Sequence, residues 1–353
     1  MDGQNTMSIY GNKNLPEGTP VRPLVTFALF AYNQEKYIRE AVVGALSQTY
    51  SPLEIILSDD CSSDRTFEIM DEMARAYDGP HLVRVVKTDR NLGGIKHYLL
   101  RGTQAMGEIV IEADGDDISK PDRCAAHVPF YEDPSVMAVT GAYDLIDEDG
   151  NILMIGVKSS SFVEEFRRQR ALFKKTRFPY VLIHGATTSY RKKAYSFPMP
   201  PLEEIDFPVD IFLSFLIHAN GYRVGIMPSS FVMYRMNTGS LTNFGGKFIN
   251  SQDVEIKNRR NAIWDIQKVG LLEWLATELG DDSFLNRDEL AKNKLRSETI
   301  RDWTNYNLLT RFKSLVKSVI IGDRAMTKWK FVRLLGRFPL YQPKSFTFIF
   351  RGR

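Results

Sequence analysis

Short apolar runs alternate with amphipathic segments along the first third of the chain. Apolar runs at 25–30, 53–58, 83–86 and 109–113 have the length and continuity of strands buried on both faces. The segments between them, 35–46, 65–77 and 95–106, are expected to be helices, the third following a turn at 91–94. This βαβαβαβ order predicts an α/β fold with a parallel sheet and right-handed crossovers. Ligands of such folds gather at the carboxyl ends of the strands.

The pattern is less regular after residue 135. It predicts further strands at 136–143, 184–190, 222–226 and 230–234, and helices at 162–178, 205–219 and across 251–309. Pro208 is expected to open the helix at 205–219. Asn33 is expected to cap the first helix, and Ser63 or Asp64 the second.

These patterns divide the chain into four parts. We expect a flexible lead-in at 1–20, an α/β domain at 21–245, a helical extension at 246–310 and a basic, aromatic-rich tail at 311–353. Apolar residues make up 43% and charged residues 25%, as in globular proteins. The first twenty residues have no signal-peptide pattern, no apolar run is long enough to span a membrane, and Cys61 and Cys124 are only two thiols. We therefore predict a cytoplasmic protein.

The tail concentrates positive charge. Residues 311–353 contain eleven Lys and Arg and a single acid, Asp323, interleaved with aromatic residues. That combination favours an anionic membrane surface, which would place the protein peripherally at the inner membrane face. The alternative is a basic helical lid on the rest of the chain. Nucleic acid is not an expected partner, since no recognition motif accompanies the charge.

Acidic residues follow two of the predicted strands. Asp59 and Asp60 end the second strand, the run 114–117 ends the fourth, and Asp210 opens a later helix. Because parallel strands end at the same edge, the first two groups can face one cleft. The carboxylates of Asp114 and Asp116 can hold Mg²⁺ or Mn²⁺, which need only one or two carboxylates when phosphate oxygens complete the shell. Turn and helix-capping chemistry remains the alternative for each group.

Several motifs occur in a familiar order across residues 26–123. They are the segments 30–33 with Glu35, 37–38, 46–50, 54–64, 91–94, 107–108, 113–117 and 121–123. This stretch resembles the inverting family 2 glycosyltransferases. A weaker match continues through 189–192, Asp210, 221–222 and 234–235 to 240–241, so that the resemblance covers about residues 24–245.

The resemblance implies a GT-A fold, a Rossmann-like and mostly parallel sheet flanked by helices, here with a C-terminal helical extension. It implies inverting, metal-dependent transfer of a sugar from a nucleotide-diphosphate donor, foremost a UDP-sugar. The expected cofactor is Mn²⁺ or Mg²⁺. The acceptor would be a glycan or a lipid-linked sugar in cell-surface polysaccharide or O-antigen biosynthesis. A homo-oligomer is left open.

The same resemblance assigns roles to individual residues. Phe30 and Tyr32 would flank the nucleoside, Glu35 would support the base, Asp60 would contact it, and Asn91 would lie in the same nucleotide-sugar site.

The remaining implied roles concern the sugar, the metal and the acceptor. Asp116 would bind the metal, with Asp114 beside it near the ribose and Gly115 between them. Asp210 would be the general base, as the retained half of a Glu-Asp motif. Arg235 would contact the diphosphate. Many relatives have His where this chain has Asn237, which can donate to phosphate but is a poor metal ligand.

Two other functions fit a similar fold. Sugar-nucleotide nucleotidyltransferases usually carry a Gly-rich, basic loop after the first strand, whereas residues 30–35 here have neither feature. A non-catalytic glycan- or membrane-binding module would have no need to keep Asp60, Asp114, Asp116 and Asp210. Both alternatives are therefore less favoured than a glycosyltransferase.

Overall fold

We analysed a computed structural model of the chain. The structure describes residues 6–11, 22–157, 167, 169–174, 177, 179–181, 183–200, 205, 207–236, 251–302, 314 and 330. Asn237, nearly all of the basic tail and most of the predicted helix at 162–178 lie outside these residues. The chain divides into two compact units, one of residues 1–162 and 176–245 and one of residues 163–175 and 246–353.

Ten strands form the sheet in the described part of the first unit. They are β1 (Thr6–Gly11), β2 (Val25–Ala31), β3 (Leu53–Asp59), β4 (Leu82–Lys87), β5 (Ile109–Asp114), β6 (Ile118–Ser119), β7 (Val136–Ile146), β8 (Ile152–Val157), β9 (Ser189–Arg191) and β10 (Arg223–Arg235). Their order is β1-β4-β3-β2-β5-β9-β7-β10-β6, with β8 paired to β7.

Five described helices belong to this unit. They are α1 (Ile38–Leu46), α2 (Thr66–Arg75), α3 (Gly94–Gln104), α4 (Arg123–His127) and α5 (Val209–Ala219). Strands β4, β3, β2 and β5 are mutually parallel, and β7 is parallel to β10. The short strand β9 runs antiparallel to both β5 and β7 and joins these two parallel sets. The predicted parallel α/β architecture is confirmed.

The sheet core is made from the continuous apolar runs. Every residue of β2 and β3 is buried, as expected for strands covered on both faces. Helices α1 and α2 add Val42, Ala45 and Met70, each with no exposed surface. This packing fixes the strand ends from which the acidic residues project.

Several sequence predictions need correction. Residues 6–11, expected in a flexible lead-in, form edge strand β1, which pairs antiparallel with β4. The two strands expected at 222–226 and 230–234 are one strand, β10. Pro228 lies within β10 where the β7–β10 register shifts between Met227 and Ser230, so its missing N–H interrupts no regular pairing. Strand β8 was not predicted.

The helix starts follow the predicted caps only in part. The N–H of Thr66, the first residue of α2, donates to Asp64 Oδ1 at 2.9 Å. Helix α1 begins at Ile38 without a side-chain cap. The Asn33 side chain instead accepts the N–H of Ser63, in the loop after β3, at 2.9 Å. The expected strand at 184–190 is reduced to β9, because residues 185–187 form a 3-10 turn.

The second unit contains two described helices, α6 (Ser251–Leu279) and α7 (Arg287–Asp302). Both lie within the stretch 251–309 that the sequence pattern predicts to be helical. Leu271, Leu272 and Leu275 of α6 are buried. Phe173 and Leu285 form an isolated β-bridge within this unit. None of the helices in the described ranges is long and apolar enough to cross a lipid bilayer.

Candidate functional site

The carboxyl ends of the parallel strands bring the predicted acidic residues to one edge. Asp59 is paired in register with Ala31 of β2, and Phe30 of the same strand is paired with Asp114 of β5. Strand β2 thus separates the two acidic groups by two strand spacings, roughly 10 Å. The register therefore places both acidic groups at the same edge of the sheet.

Asp60, the predicted base contact, is buried and holds the loop before α3. Its Oδ1 accepts the Leu92 N–H at 2.9 Å and the Thr88 hydroxyl at 3.1 Å, and its Oδ2 accepts the Gly93 N–H at 2.9 Å. Each carboxylate oxygen can accept two hydrogen bonds, so Oδ2 keeps capacity for one more donor. Asp60 therefore fixes the loop and can still accept a base N–H.

A buried polar network lies below this loop. His97 Nε2 and Ser58 Oγ are 2.6 Å apart, and Arg101 Nε donates to the same hydroxyl at 2.8 Å. Burial lowers the pKa of His97 to about 4, so that the imidazole is neutral at physiological pH. This network supports the start of α3 and was not predicted.

The turn after β5 packs closely against the end of β2. The Gly115 N–H donates to the Phe30 carbonyl at 2.8 Å. A Cβ at Gly115 would lie 2.4 Å from Gln34 Oε1 and 2.9 Å from the Ala31 Cβ. Glycine is therefore needed here for close packing, a reason that the sequence prediction did not include.

Asp114 ends β5 and is held by a residue that sequence reasoning missed. The hydroxyl of Tyr98, on α3, donates to Asp114 Oδ1. The Tyr98 ring stacks on Phe30, with centroids 3.8 Å apart and planes at 11°. A tyrosine in an amphipathic helix is usually a packing residue, and no motif set it apart.

Negative charge accumulates around Asp114. Burial raises its pKa to about 6, and the charges of Asp116 and Asp210 add to the increase. Burial also raises the pKa of Glu112 to about 8, two residues earlier on the same face of β5. The Tyr195 hydroxyl donates to Glu112 Oε1 at 2.7 Å. A cation between these groups would relieve their repulsion.

Asp210 reaches the site from the first turn of α5. Its Oδ2 accepts the Gly185 N–H at 3.0 Å, and its Oδ1 accepts the N–H of Ile211 at 2.8 Å. Gly185 belongs to the turn that precedes β9, and because β9 is antiparallel this turn lies at the carboxyl edge of β5. The predicted base is thus close enough to Asp114 to affect its pKa.

Arg235, the predicted diphosphate contact, is buried at the end of β10 and bound to the protein. Nε donates to the Asp116 carbonyl at 2.8 Å, and Nη1 donates to the carbonyls of Asp147 at 3.2 Å and Glu148 at 3.0 Å. Nη2 donates to Glu40, and the guanidinium lies 4.8 Å from the Tyr37 ring.

The backbone of Arg235 adds a further contact. Its N–H donates to buried Asp117 Oδ1 at 2.8 Å. Arg235 thus links β10, α1 and the β7–β8 turn to the loop that carries Asp116.

The other predicted nucleotide contacts have different surroundings. Tyr32 is 48% exposed, whereas Phe30 is buried against Tyr98. Glu35 accepts the Arg65 N–H at 3.0 Å, which supports the start of α2, and Asn91 accepts the Gly93 N–H at 3.0 Å. Tyr32 therefore has the accessible ring, and Glu35 and Asn91 shape the loops beside it.

The possible metal ligands at this edge suit a hard cation whose coordination shell is completed by substrate atoms. In the described ranges no three His, Cys, Asp or Glu side chains are grouped as metal ligands. Asp114 and Asp116 supply two carboxylates at the partly exposed edge. Mg²⁺ and Mn²⁺ prefer such oxygen ligands, and substrate phosphates commonly complete their shells. The residues present therefore fit a divalent ion that binds together with a diphosphate.

Comparison with known proteins agrees with the fold. Residues 26–196 match the family model described as glycosyl transferase family 2. EpsE of Bacillus subtilis is 28% identical over 169 residues, which is 48% of this chain and 58% of that protein. The chain thus spans little more than half of that relative's length. Residues 26–196 belong to glycosyl transferase family 2, as the motifs predicted.

Two solved structures have the same fold. S. aureus TarS 1-349 in complex with UDP-GlcNAc has a TM-score of 0.51 at 17% identity, over 90% of this chain and 93% of that one. The mannosyltransferase from Pyrobaculum calidifontis in complex with GDP-Man and Mn²⁺ has a TM-score of 0.51 at 19% identity, over 90% and 81%. The predicted GT-A architecture with C-terminal helices is confirmed.

Proposed function

We propose that the protein transfers a sugar, with inversion, from a nucleotide-diphosphate donor to a hydroxyl of a glycan or lipid-linked acceptor. A UDP-sugar is the favoured donor, and the expected setting is the synthesis of a cell-surface polysaccharide. The observation that carries the proposal is the convergence of Asp60, Asp114, Asp116 and Asp210 at one sheet edge within a family 2 domain.

The donor half of the site is assigned to β2, β3 and β5. The exposed ring of Tyr32 offers a stacking surface for the base, and Asp60 Oδ2 can accept an N–H from it. Asp114 is assigned to the ribose and Asp116 to a divalent metal. When bound, that metal supplies Lewis-acid stabilisation of the departing diphosphate. The two structural relatives, one in complex with UDP-GlcNAc and one with GDP-Man and Mn²⁺, support a nucleotide-sugar donor and a divalent metal.

The acceptor half is assigned to α5 and the turn before β9. Asp210 would take the proton of the acceptor hydroxyl as its oxygen forms a bond to the anomeric carbon. The bond from that carbon to the diphosphate oxygen breaks on the opposite face, which inverts the configuration. Hydrogen bonds from the N–H groups of Gly185 and Ile211 hold the Asp210 carboxylate in place for this step.

Asp210→Asn tests the assignment of the base. General-base catalysis contributes about 10² to 10⁴ in rate, so we expect UDP release from UDP-sugars, with p-nitrophenyl glycosides as acceptors, to fall by about that factor. UDP affinity should be unchanged, since asparagine keeps both the size and the Gly185 contact. Asp133→Asn, an exposed change beside Arg223, is the control. Full turnover in Asp210→Asn would show that another group removes the proton.

A further inference from the structure

We propose that Tyr98 is a positioning residue that orients Asp114 toward the donor ribose and so sets how well the site distinguishes ribonucleotides from deoxyribonucleotides. The inference rests on the proposed function, which assigns a nucleotide-diphosphate donor and places Asp114 at its ribose. It adds a residue that none of the motifs contains.

The phenol is held in one orientation. Its ring stacks on Phe30, at 3.8 Å and 11°, and Phe30 in turn meets His97 edge-on, with centroids 5.2 Å apart at 88°. Two further contacts fix Phe30 itself. It is paired in register with Asp114, and its carbonyl accepts the Gly115 N–H. The Tyr98 hydroxyl is therefore presented to Asp114 by a support that is bonded to the same loop.

Helix α3 connects both donor-side carboxylates. Its first turn follows the loop that Asp60 holds through the N–H groups of Leu92 and Gly93. One turn further along, Tyr98 binds Asp114. The spacing between the base contact and the ribose contact is therefore set through one rigid helix.

The hydrogen bond determines what Asp114 can offer a ligand. With Oδ1 occupied by the phenol, the carboxylate plane is fixed and Oδ2 can accept from a ribose hydroxyl. Tyrosine is a neutral donor, so Asp114 keeps its negative charge, which an arginine in that place would neutralise. Without the phenol the carboxylate can rotate, and a hydrogen bond to the ribose would lose its directional preference.

Tyr98→Phe tests the inference, because the ring stack on Phe30 remains and only the hydroxyl is lost. Calorimetry with Mn²⁺ would compare UDP, 2′-deoxy-UDP and 3′-deoxy-UDP. The wild type should prefer UDP over at least one deoxy analogue, and Tyr98→Phe should reduce that preference about tenfold, the effect of losing one charged hydrogen bond. Affinity for the disfavoured analogue should be nearly unchanged. General destabilisation of the protein would not alter the ratio of the affinities for UDP and the deoxy analogue.

Tyr195→Phe is the matched control. It removes a tyrosine hydroxyl that donates to Glu112, which lies on the same face of β5 as Asp114. It should leave the UDP preference intact. Tyr98→Leu also removes the ring stack, and should lose the same preference at a lower melting temperature. Equal weakening of all three ligands in Tyr98→Phe, or an unchanged preference, would overturn the inference. If wild-type protein bound neither UDP nor GDP, the proposed donor class would fail first, and the inference with it.

Discussion

Arg235→Lys is expected to destabilise the first unit by about 2 kcal/mol. The guanidinium donates to the carbonyls of Asp116, Asp147 and Glu148, and each such bond contributes about 1 kcal/mol net. The contact with Glu40 adds less than about 1 kcal/mol, since that side chain is 54% exposed. A lysine ammonium cannot reach all of these acceptors, because it lacks the planar fork of the guanidinium. About two of the bonds should therefore be lost.

Urea unfolding and UDP calorimetry on the same samples would measure the effect. We expect a lower midpoint of unfolding, together with weaker UDP binding in Mn²⁺, because the Asp116 backbone loses its anchor. Arg223→Lys, at the other end of β10 and bound to partly exposed Asp133, is the control. Weaker UDP binding with an unchanged midpoint would refute the reasoning and favour the sequence-based role, a direct contact between Arg235 and the diphosphate.

Two further predictions follow from buried groups at the site. Glu112, with its pKa raised from 4.5 to about 8, is protonated in the folded protein at neutral pH but ionised when unfolded, so stability should fall as pH rises through that window. Melting temperatures between pH 5 and 9 should show this fall in the wild type and its absence in Glu112→Gln. A parallel decline in both proteins would exclude Glu112 as its source. Gly115→Ala should cost about 1–3 kcal/mol through overpacking against Gln34, with partial recovery in Gly115→Ala/Gln34→Ala, measured by urea unfolding. No recovery would place the strain at Ala31 instead.

The fold of the donor half was predictable because its strands are continuous apolar runs. Burial on both faces leaves a clear sequence pattern, and β2 and β3 fall within a residue of their predicted ends. Strand β8 was missed although Ile152–Val157 is also an apolar run, and in the structure it is largely exposed. Strand β10 was predicted as two strands, and its continuity across Pro228 depends on pairing with distant β7, which the local sequence does not show.

Those site residues that follow directly after a strand could be proposed from the sequence, because their position alone indicates the sheet edge where ligands bind. Asp60 and Asp114 were placed by the alternation alone, before any resemblance was considered. Contacts that depend on tertiary packing were not visible. Tyr98 carries no motif, and a basic residue such as Arg235 gives no sign in the sequence that its guanidinium is buried among carbonyl groups.

The antiparallel strand β9 has a consequence for how such a protein can diversify. Only three residues, Ser189–Arg191, join the two parallel sets of strands. Arg123 fastens this junction by donating to the carbonyls of Glu112, Ala186 and Thr188. A chimera exchanged at β9 would need to preserve these bonds together with those that Arg235 makes to the Asp116 loop and to Glu40. Recombination there could replace the acceptor half as a module while the nucleotide half is inherited unchanged.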